Sequence, residues 1–288
     1  MPGKSRFAIA ESSIKSFFKQ NPRKVFSREQ LSGVFEERRV AWNLPSTTSD
    51  LRFIEQLQKR GILNKIEILF SGYIKKKERY IAADANEFEI AASLVNKSYL
   101  SHYTAVFLNG LTTQVPKTIY ITFEQSKKSN GIRQLKQEAI DAAFSKPQPR
   151  ATTEAIYGDF TFVILNGMFT GRTSIHSIEN IPVTNLERTL IDITVRPSYA
   201  GGVYSVLEAY QNALPNISLN KLVATLDNMD FIYPYHQAIG FYLERAGYTG
   251  KKLEELRGRN KEFRFYLTYE MKETSFSDAW QLYYPKGM

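Results

Sequence analysis

The chain has 288 residues, of which 43% are hydrophobic and 23% charged, and this is enough for a packed core in one large or two ordinary domains. It holds 38 Lys+Arg against 29 Asp+Glu, a formal net charge of +9, and no cysteine, which excludes disulfides, thiolate catalysis and Cys-ligated zinc. The N-terminus lacks the apolar run of a signal peptide, and no stretch approaches about 18 uninterrupted apolar residues. We therefore expect a cytoplasmic protein without a membrane span.

The net charge is confined to the first third of the chain. Residues 1–83 hold 17 Lys+Arg against 8 Asp+Glu, whereas residues 84–288 hold 21 of each. A local excess of cations suits a partner with a dense negative surface, such as duplex DNA with a phosphate every ~1.7 Å of its axis. This asymmetry predicts two domains, residues 1–83 and residues 84–288.

The first domain begins with two predicted helices. Apolar residues recur at helical spacing over 6–20, and Asn21-Pro22 ends that helix. Ser27 and Gln30 match a capping box, in which each residue bonds the other's backbone N–H, so a second helix is predicted to follow Ser27.

A third helix is predicted after a linker over residues 39–45. Thr47 and Asp50 fit a capping pair, and Gly61 with Ile62 fits a glycine C-cap. The predicted buried stripe of this helix is Leu51, Ile54 and Leu57.

A β-hairpin is predicted next, with strands over 65–70 and 73–81 joined at Ser71-Gly72. Three helices and a hairpin are typical of a winged helix-turn-helix, in which the third helix reads base edges in the major groove and the hairpin contacts phosphates. The base-reading candidates, which carry hydroxyl, guanidinium or amide groups, are Thr47, Thr48, Ser49, Arg52 and Gln56. The phosphate-contact candidates are Lys75, Lys76, Lys77 and Arg79.

Each of these signals has an ordinary structural alternative. A lysine run is often a solvated turn, and a Ser-Thr-Thr-Ser helix start is often only a good cap. Winged helices also dock proteins, and the connection before the third helix is longer than a tight helix-turn-helix turn.

The second domain alternates between predicted helices and strands, which indicates an α+β protein with a larger mixed C-terminal domain. The predicted helices are residues 98–109, 132–144, 203–214, 218–229 and 234–246. The predicted strands are residues 118–123, 159–165, 263–267 and 279–284.

The sequence offers little for catalysis. His102, His176 and His236 lie far apart, and none has a carboxylate or a second histidine at a metal-ligand offset. Glu124 and Lys127 end a strand in a way that loosely resembles metal-dependent nucleases, although their spacing is one residue too long. We expect no catalytic residue, metal or cofactor, and keep a nuclease with a winged-helix reader as the alternative.

Residues 187–192 form the other acidic cluster. On a helix Arg188 and Asp192 are i,i+4 neighbours, and so are Glu187 and Ile191. We interpret the cluster as a helix start whose ion pair fixes its orientation.

Two stretches resemble a known family. Residues 99–112 are similar to a helix that ends in an N-G-L-T turn before a strand, and residues 182–192 followed by 196–202 match a second pattern. Behind a winged helix, both resemble the AbiEi family of abortive-infection antitoxins. The matched positions that look structural are Glu187, Arg188, Asp192, Gly201 and Gly202.

The resemblance implies a bacterial transcriptional autorepressor and phage-defence antitoxin of a type IV toxin–antitoxin system. Its winged helix would bind inverted repeats in promoter DNA, and copies of the chain can assemble as a homo-oligomer there. It would oppose a nucleotidyltransferase-like toxin without forming a stable complex. The family's DNA contacts fall here on Thr48, Ser49, Arg52 and Lys75–Lys77.

Overall fold

The protein is described by a computed structural model that covers residues 5–72, 76–127 and 134–288. The fold is mixed α+β, as predicted. The first elements are α1 (Arg6–Gln20), β1 (Val25–Phe26), α2 (Arg28–Arg38), α3 (Asp50–Lys59), β2 (Asn64–Leu69) and β3 (Lys76–Ile81). The three strands form an antiparallel sheet in the order β1-β3-β2. All three helices and the hairpin were predicted, and the two-residue β1 was not.

Two helix signals act as the sequence predicts. Ser27 N–H donates to Gln30 Oε1 at 2.8 Å and Gln30 N–H donates to Ser27 Oγ at 3.3 Å, which completes the capping box of α2. At the end of α3, Gly61 takes a φ of +62°, and the Ile62 N–H returns to the Leu57 carbonyl at 2.9 Å. This left-handed turn is one that glycine adopts without steric cost.

The start of α3 differs from the prediction. Ser49, and not Thr47, caps the helix, because the Arg52 N–H donates to Ser49 Oγ at 3.2 Å. Asp50 is the first helical residue, and its carboxylate accepts a 2.6 Å hydrogen bond from Ser32 Oγ on α2. The predicted pairing of Thr47 with Asp50 is wrong.

The buried stripe of α3 is also shifted. Leu51 is 49% exposed, whereas Phe53, Ile54 and Leu57 are buried. Trp42, from the segment before the helix, stacks on Phe53 with ring centroids 5.6 Å apart. The core therefore lies on the Phe53 side, and Leu51 points to solvent.

The remainder of the chain is built on a six-stranded sheet in the order β6-β7-β5-β4-β9-β8 and a three-stranded sheet in the order β10-β12-β11. Its first elements are α4 (Glu87–Ser93), β4 (Tyr99–Leu100), α5 (His102–Leu108), β5 (Thr118–Glu124), α6 (Gln137–Phe144), β6 (Glu154–Tyr157), β7 (Phe160–Gly167), β8 (Ile175–Ile178), β9 (Ile181–Thr184) and α7 (Leu186–Val195). After a short 3-10 helix (Pro197–Ala200) come α8 (Val203–Ala213), α9 (Leu219–Met229), α10 (Tyr235–Arg245), α11 (Lys251–Arg257), β10 (Phe265–Tyr266), β11 (Thr274–Ser277) and β12 (Leu282–Pro285).

Two predicted helices of this part need correction. The predicted helix over 98–109 begins as strand β4, which pairs with β5 and β9 before α5 starts. The predicted helix over 132–144 starts at Gln137; residues 132 and 133 lie outside the described residues, and 134–136 are not helical. The two predicted C-terminal strands correspond to β10 and β12, which pair in parallel, and β11 was not predicted.

The first 83 residues share an apolar cluster with the rest of the chain. Val25, Ile68 and Phe70 lie in one buried cluster with Ile119 and Phe162 of the six-stranded sheet. The predicted boundary after residue 83 therefore crosses a common core. Within the described ranges, no helix has the length and apolar character to cross a bilayer.

The end of the hairpin also bonds directly to the large sheet. The Ser71 N–H donates to the Glu154 carbonyl at 2.8 Å, and Ser71 Oγ donates to the Thr152 carbonyl at 2.8 Å. Glu154 belongs to β6, which is the outermost strand of the six-stranded sheet on this side.

Candidate nucleic-acid interface

The start of α3 brings the five predicted base-reading residues together. Thr47, Ser49 and Arg52 are exposed, and Thr48 and Gln56 are half-buried. In the described part of the chain, the Arg52 guanidinium makes no ion pair and no hydrogen bond. Five N–H donors are thus free at the helix end where the macrodipole is positive.

The start of α2 lies beside the start of α3. The pKa of Asp50 is lowered chiefly by the hydrogen bond from Ser32, and the nearby Arg28 guanidinium adds to this effect. Arg28 stands in the first turn of α2, and its side chain forms no ion pair among the described residues. The sequence analysis did not single out Arg28, because its position beside α3 follows from helix packing.

Lys76 sits in a balanced group of four charges on the hairpin. Its Nζ lies 2.9 Å from the Glu67 carboxylate and 3.0 Å from that of Glu78, and Lys65 contacts the same two carboxylates at 3.1 and 3.0 Å. The hydrogen bonds from Lys76 and Lys65 lower the pKa of Glu78 to about 2. Lys76 therefore adds little net charge to the surface.

Lys77 faces the other side of the hairpin from Lys76. Lys76 lies opposite Leu69 and Lys77 lies opposite Ile68 in the antiparallel register, and successive side chains alternate between faces. Ile68 packs towards the six-stranded sheet. The predicted triple-lysine surface is thus divided, and Lys75 lies outside the described residues.

Arg79 has structural partners. Its Nε donates to the Ser93 carbonyl at 3.2 Å and to Ser93 Oγ at 3.1 Å, and its Nη1 donates to the Glu78 carbonyl at 2.7 Å. Burial lowers the pKa of this guanidinium. Arg79 ties β3 to the end of α4, because its Nε, Nη1 and Nη2 each donate to a group within the protein.

A basic cleft lies between the first 83 residues and the large sheet, with a volume of about 1000 Å³. Three carboxylates line it, Glu29, Glu78 and Glu89, against a larger number of cations. The cations are Arg23, Lys24, Arg28, Lys76, Lys77, Arg79, Lys97 and Arg172. Lys24 is paired with Asp84 at 2.9 Å, but the side chains of Arg23, Arg28, Lys77 and Lys97 have no partner among the described residues.

The predicted ion pair on α7 is confirmed. Arg188 Nε lies 2.7 Å from Asp192 Oδ1, and both side chains are buried. Arg188 Nη1 also donates to Thr170 Oγ1 and to the Thr173 carbonyl, each at 3.2 Å. The pair fixes the loop after β7 against α7.

The other family-motif residues are also placed in the fold. The buried Glu187 accepts the Ser218 N–H at 3.0 Å, at the start of α9. Gly201 and Gly202 take φ values of +82° and +97° in the turn before α8. A Cβ on Gly201 would lie 2.9 Å from Ser205 Oγ, so glycine is required there on both counts.

Glu124 organises the same loop. Its carboxylate accepts the Thr170 N–H at 3.0 Å, the Arg172 N–H at 3.1 Å and the Tyr99 hydroxyl at 3.3 Å. In residues 5–72, 76–127 and 134–288, no group of three or more His, Asp or Glu side chains could hold a metal ion.

Comparison with known proteins gives a likeness of fold alone. No protein-family model matches the sequence, and no curated protein matches it. The chain is similar in structure to the crystal structure of the RV2827C protein from Mycobacterium tuberculosis, with a TM-score of 0.55 and 12% sequence identity. The similarity covers 97% of this chain and 92% of that one.

Proposed function

We propose that the protein is a DNA-binding transcriptional regulator in which residues 5–83 act as a winged helix-turn-helix. The observation that carries this proposal is the unpaired, exposed Arg52 at the positive end of α3, on the part of the chain that holds the whole net charge. A guanidinium there can bond guanine in two places, and the neighbouring hydroxyls of Thr47 and Ser49 can reach bases or phosphates.

The element order supports the winged-helix interpretation. The unit has three helices followed by a hairpin, and strand β1, before α2, completes a three-stranded sheet. One side of α3 is therefore exposed, and the hairpin lies beside this helix. In such a unit α3 lies in the major groove and the first turn of α2 meets the backbone.

The phosphate contacts are assigned differently from the sequence-based expectation. Arg28 and Arg23 replace Lys76, whose charge is paired with Glu67 and Glu78, and Arg79, whose guanidinium is hydrogen-bonded to Ser93 and the Glu78 carbonyl. Lys77 remains a candidate through the basic cleft, which Arg28 connects to the start of α3.

We further propose that this regulator is an antitoxin of the AbiEi type, acting on promoter inverted repeats and opposing a nucleotidyltransferase-like toxin. The support is the resemblance of residues 99–112, 182–192 and 196–202, together with the α7 ion pair and the glycine turn at two of those stretches. Co-expression with the product of a neighbouring nucleotidyltransferase gene tests it: growth should be rescued although the two proteins do not co-purify.

Duplex binding is tested by fluorescence anisotropy with the promoter fragment of the gene. About 6–8 phosphate contacts give a log–log salt slope of about −5 to −7. An affinity that does not change with salt would contradict the proposal, and an affinity no better than that of an unrelated basic protein would favour a protein-docking module.

Arg52→Ala tests the base-reading role. It should weaken binding to the promoter site by about 1–3 kcal/mol and leave nonspecific affinity nearly unchanged. Lys221→Ala is the matched control, because Lys221 is an exposed cation on α9 and its loss should leave both affinities unchanged. Equal losses of specific and nonspecific affinity in the Arg52 variant would show that Arg52 only contacts phosphate.

The nuclease alternative has less support. A carboxylate that binds a metal or acts as a general base needs free lone pairs. The Glu124 oxygens instead accept hydrogen bonds from two backbone N–H groups and two hydroxyls. Magnesium-dependent cleavage of labelled duplex that is lost in Glu124→Ala would reverse this judgement.

A further inference from the structure

A second concavity, which we call the Arg196 cavity, lies in the part of the structure formed by residues after 83. It has a volume of about 780 Å³ and is bounded by the ends of β5 and β7, by α7, and by the segment 229–235. Its walls are rich in aromatic rings, namely those of Tyr99, Tyr199, Phe231, Tyr233, Tyr235 and Tyr269. Cavities of a few hundred to about 1000 Å³ with mixed apolar and polar walls are the usual sites of small ligands.

Three arginines line this cavity (Arg150, Arg188 and Arg196) against two carboxylates (Asp192 and Asp230), so its lining carries a net charge of +1. The Arg196 guanidinium makes one hydrogen bond, from Nη1 to the Pro149 carbonyl at 3.3 Å, and among the described residues no carboxylate lies within ion-pair distance of it. The neighbouring Arg188 and Asp192 neutralise each other at 2.7 Å. Arg196 therefore lines the cavity with several free N–H donors and without an ion-pair partner among the described residues.

The histidine and tyrosine side chains around Arg196 are neutral. Burial, followed by the nearby Arg196, lowers the pKa of His102 to about 3, so this imidazole is uncharged. Burial raises the pKa of Tyr235 and Tyr269, and Arg196 is close enough to oppose that rise. A half-buried guanidinium surrounded by neutral aromatic side chains favours an anion that also has a flat ring.

A second cation stands near the first. Arg150 follows Pro149, the residue whose carbonyl accepts the hydrogen bond from Arg196. Its side chain is exposed and makes no hydrogen bond in the described structure. The adjacent Ala151 N–H donates to the Tyr199 hydroxyl at 2.8 Å, so the ring of Tyr199 is fixed beside the two arginines. His102, which packs on the Tyr199 ring at 5.4 Å, has a φ of +53°, a strained conformation that is common at binding sites.

We propose that the Arg196 cavity binds a nucleotide, with the phosphate on Arg196 and Arg150 and the base against the tyrosine rings. Guanidinium groups bind phosphate through paired N–H donors, and tyrosine faces stack on bases. The site shares no residue with α3 or with the basic cleft, so this proposal does not depend on DNA binding.

Isothermal titration calorimetry of the full chain tests the proposal with AMP, GMP and UMP, and with adenosine and inorganic phosphate as part-ligands. At least one nucleotide should saturate one site per chain. Inorganic phosphate should bind at least tenfold more weakly than that nucleotide, and adenosine at least tenfold more weakly than AMP where AMP binds, because each offers only part of the contacts.

Arg196→Met should weaken nucleotide binding roughly 10- to 100-fold, the effect of losing charge-assisted hydrogen bonds. Arg264→Met is the matched control, since Arg264 is an exposed arginine outside the cavity and its loss should not change affinity. If circular dichroism shows that Arg196→Met does not fold, Arg150→Met replaces it, because the exposed Arg150 side chain makes no bond that the fold needs.

Three results would overturn the proposal. The first is that none of the three nucleotides binds at millimolar concentration. The second is that inorganic phosphate binds as tightly as the tightest-binding nucleotide, or that adenosine binds as tightly as an AMP that saturates the site, because the ring or the phosphate would then contribute nothing. The third is that a folded Arg196→Met or Arg150→Met variant binds nucleotide as the unmodified protein does.

Discussion

Single residues in this chain take their roles from partners that are distant in sequence. Arg79 was expected to contact phosphate, but its Nε donates to the carbonyl and hydroxyl of Ser93, 14 residues later. Leu51 was expected in the core, but Trp42 places the core on the Phe53 side of α3. Thr47, Ser49 and Arg52 are exposed as the local pattern indicates, and among the described residues no distant group competes for the Arg52 donors.

His102 gives a pH prediction at this scale. Its pKa is about 3 in the folded protein, lowered first by burial and then by Arg196 and Arg188, against about 6.5 when unfolded. Below pH 6.5 the unfolded chain binds a proton that the folded chain excludes, so stability is complete above that pH and falls as the pH falls. Between pH 7 and pH 5 the loss from this group is about 2 kcal/mol.

Urea denaturation of the unmodified protein and of His102→Asn measures this loss. Asparagine tolerates the positive φ of this position and does not titrate. The free energy of unfolding should fall by about 2 kcal/mol more in the unmodified protein than in the variant over that pH range. Parallel pH profiles would show that His102 is charged in the folded state.

At the scale of elements, the sequence predicts what is locally encoded. The capping box of α2 and the glycine turn after α3 are correct because all their atoms lie within six residues. Strands β1 and β4 were missed because each has only two residues, and each exists through a remote partner: Val25 pairs with Ile81, and Tyr99 pairs with Thr122. Neither pairing leaves a periodic pattern in the sequence.

Two helix glycines that look alike in sequence should respond in opposite ways to alanine. A Cβ on Gly240 of α10 would lie 2.1–2.7 Å from the buried Trp280 ring, so Gly240→Ala should destabilise the protein by about 1–3 kcal/mol. Gly33 of α2 has nothing within 4 Å of that position, so Gly33→Ala should stabilise by about 0.5–1 kcal/mol. Chemical denaturation of both variants measures the difference, and equal effects would mean that the α10–Trp280 contact is wrong.

At the scale of the whole molecule, the charge distribution divides the chain near residue 83, whereas apolar packing connects the two parts. The net charge ends at residue 83, whereas Val25, Ile68 and Phe70 share a core with the six-stranded sheet. Composition could indicate where the excess positive charge lies, but it carries no information on which apolar side chains meet across the boundary. The basic cleft and the Arg196 cavity were missed for the same reason, since each collects residues from several separate segments.

The shared core predicts that the two parts unfold together. Hydrogen exchange read by mass spectrometry at increasing urea should show α3 and α7 losing protection at the same urea concentration. Ile68→Ala, which removes buried contacts between the parts, should lower that concentration for both helices, with a cost of about 2–5 kcal/mol. Loss of protection in α3 well before α7 would show two independent folding units divided near residue 83.

The bonds from Ser71 to Thr152 and Glu154 have a consequence for solubility. Strand β6 ends the large sheet, and an outer strand with unpaired N–H and C=O groups is a template on which other chains can add. The end of the hairpin covers part of that template, so residues 5–83 also protect the sheet edge from pairing with other chains. A chain shortened to its second part would expose this edge together with the apolar surface beneath it.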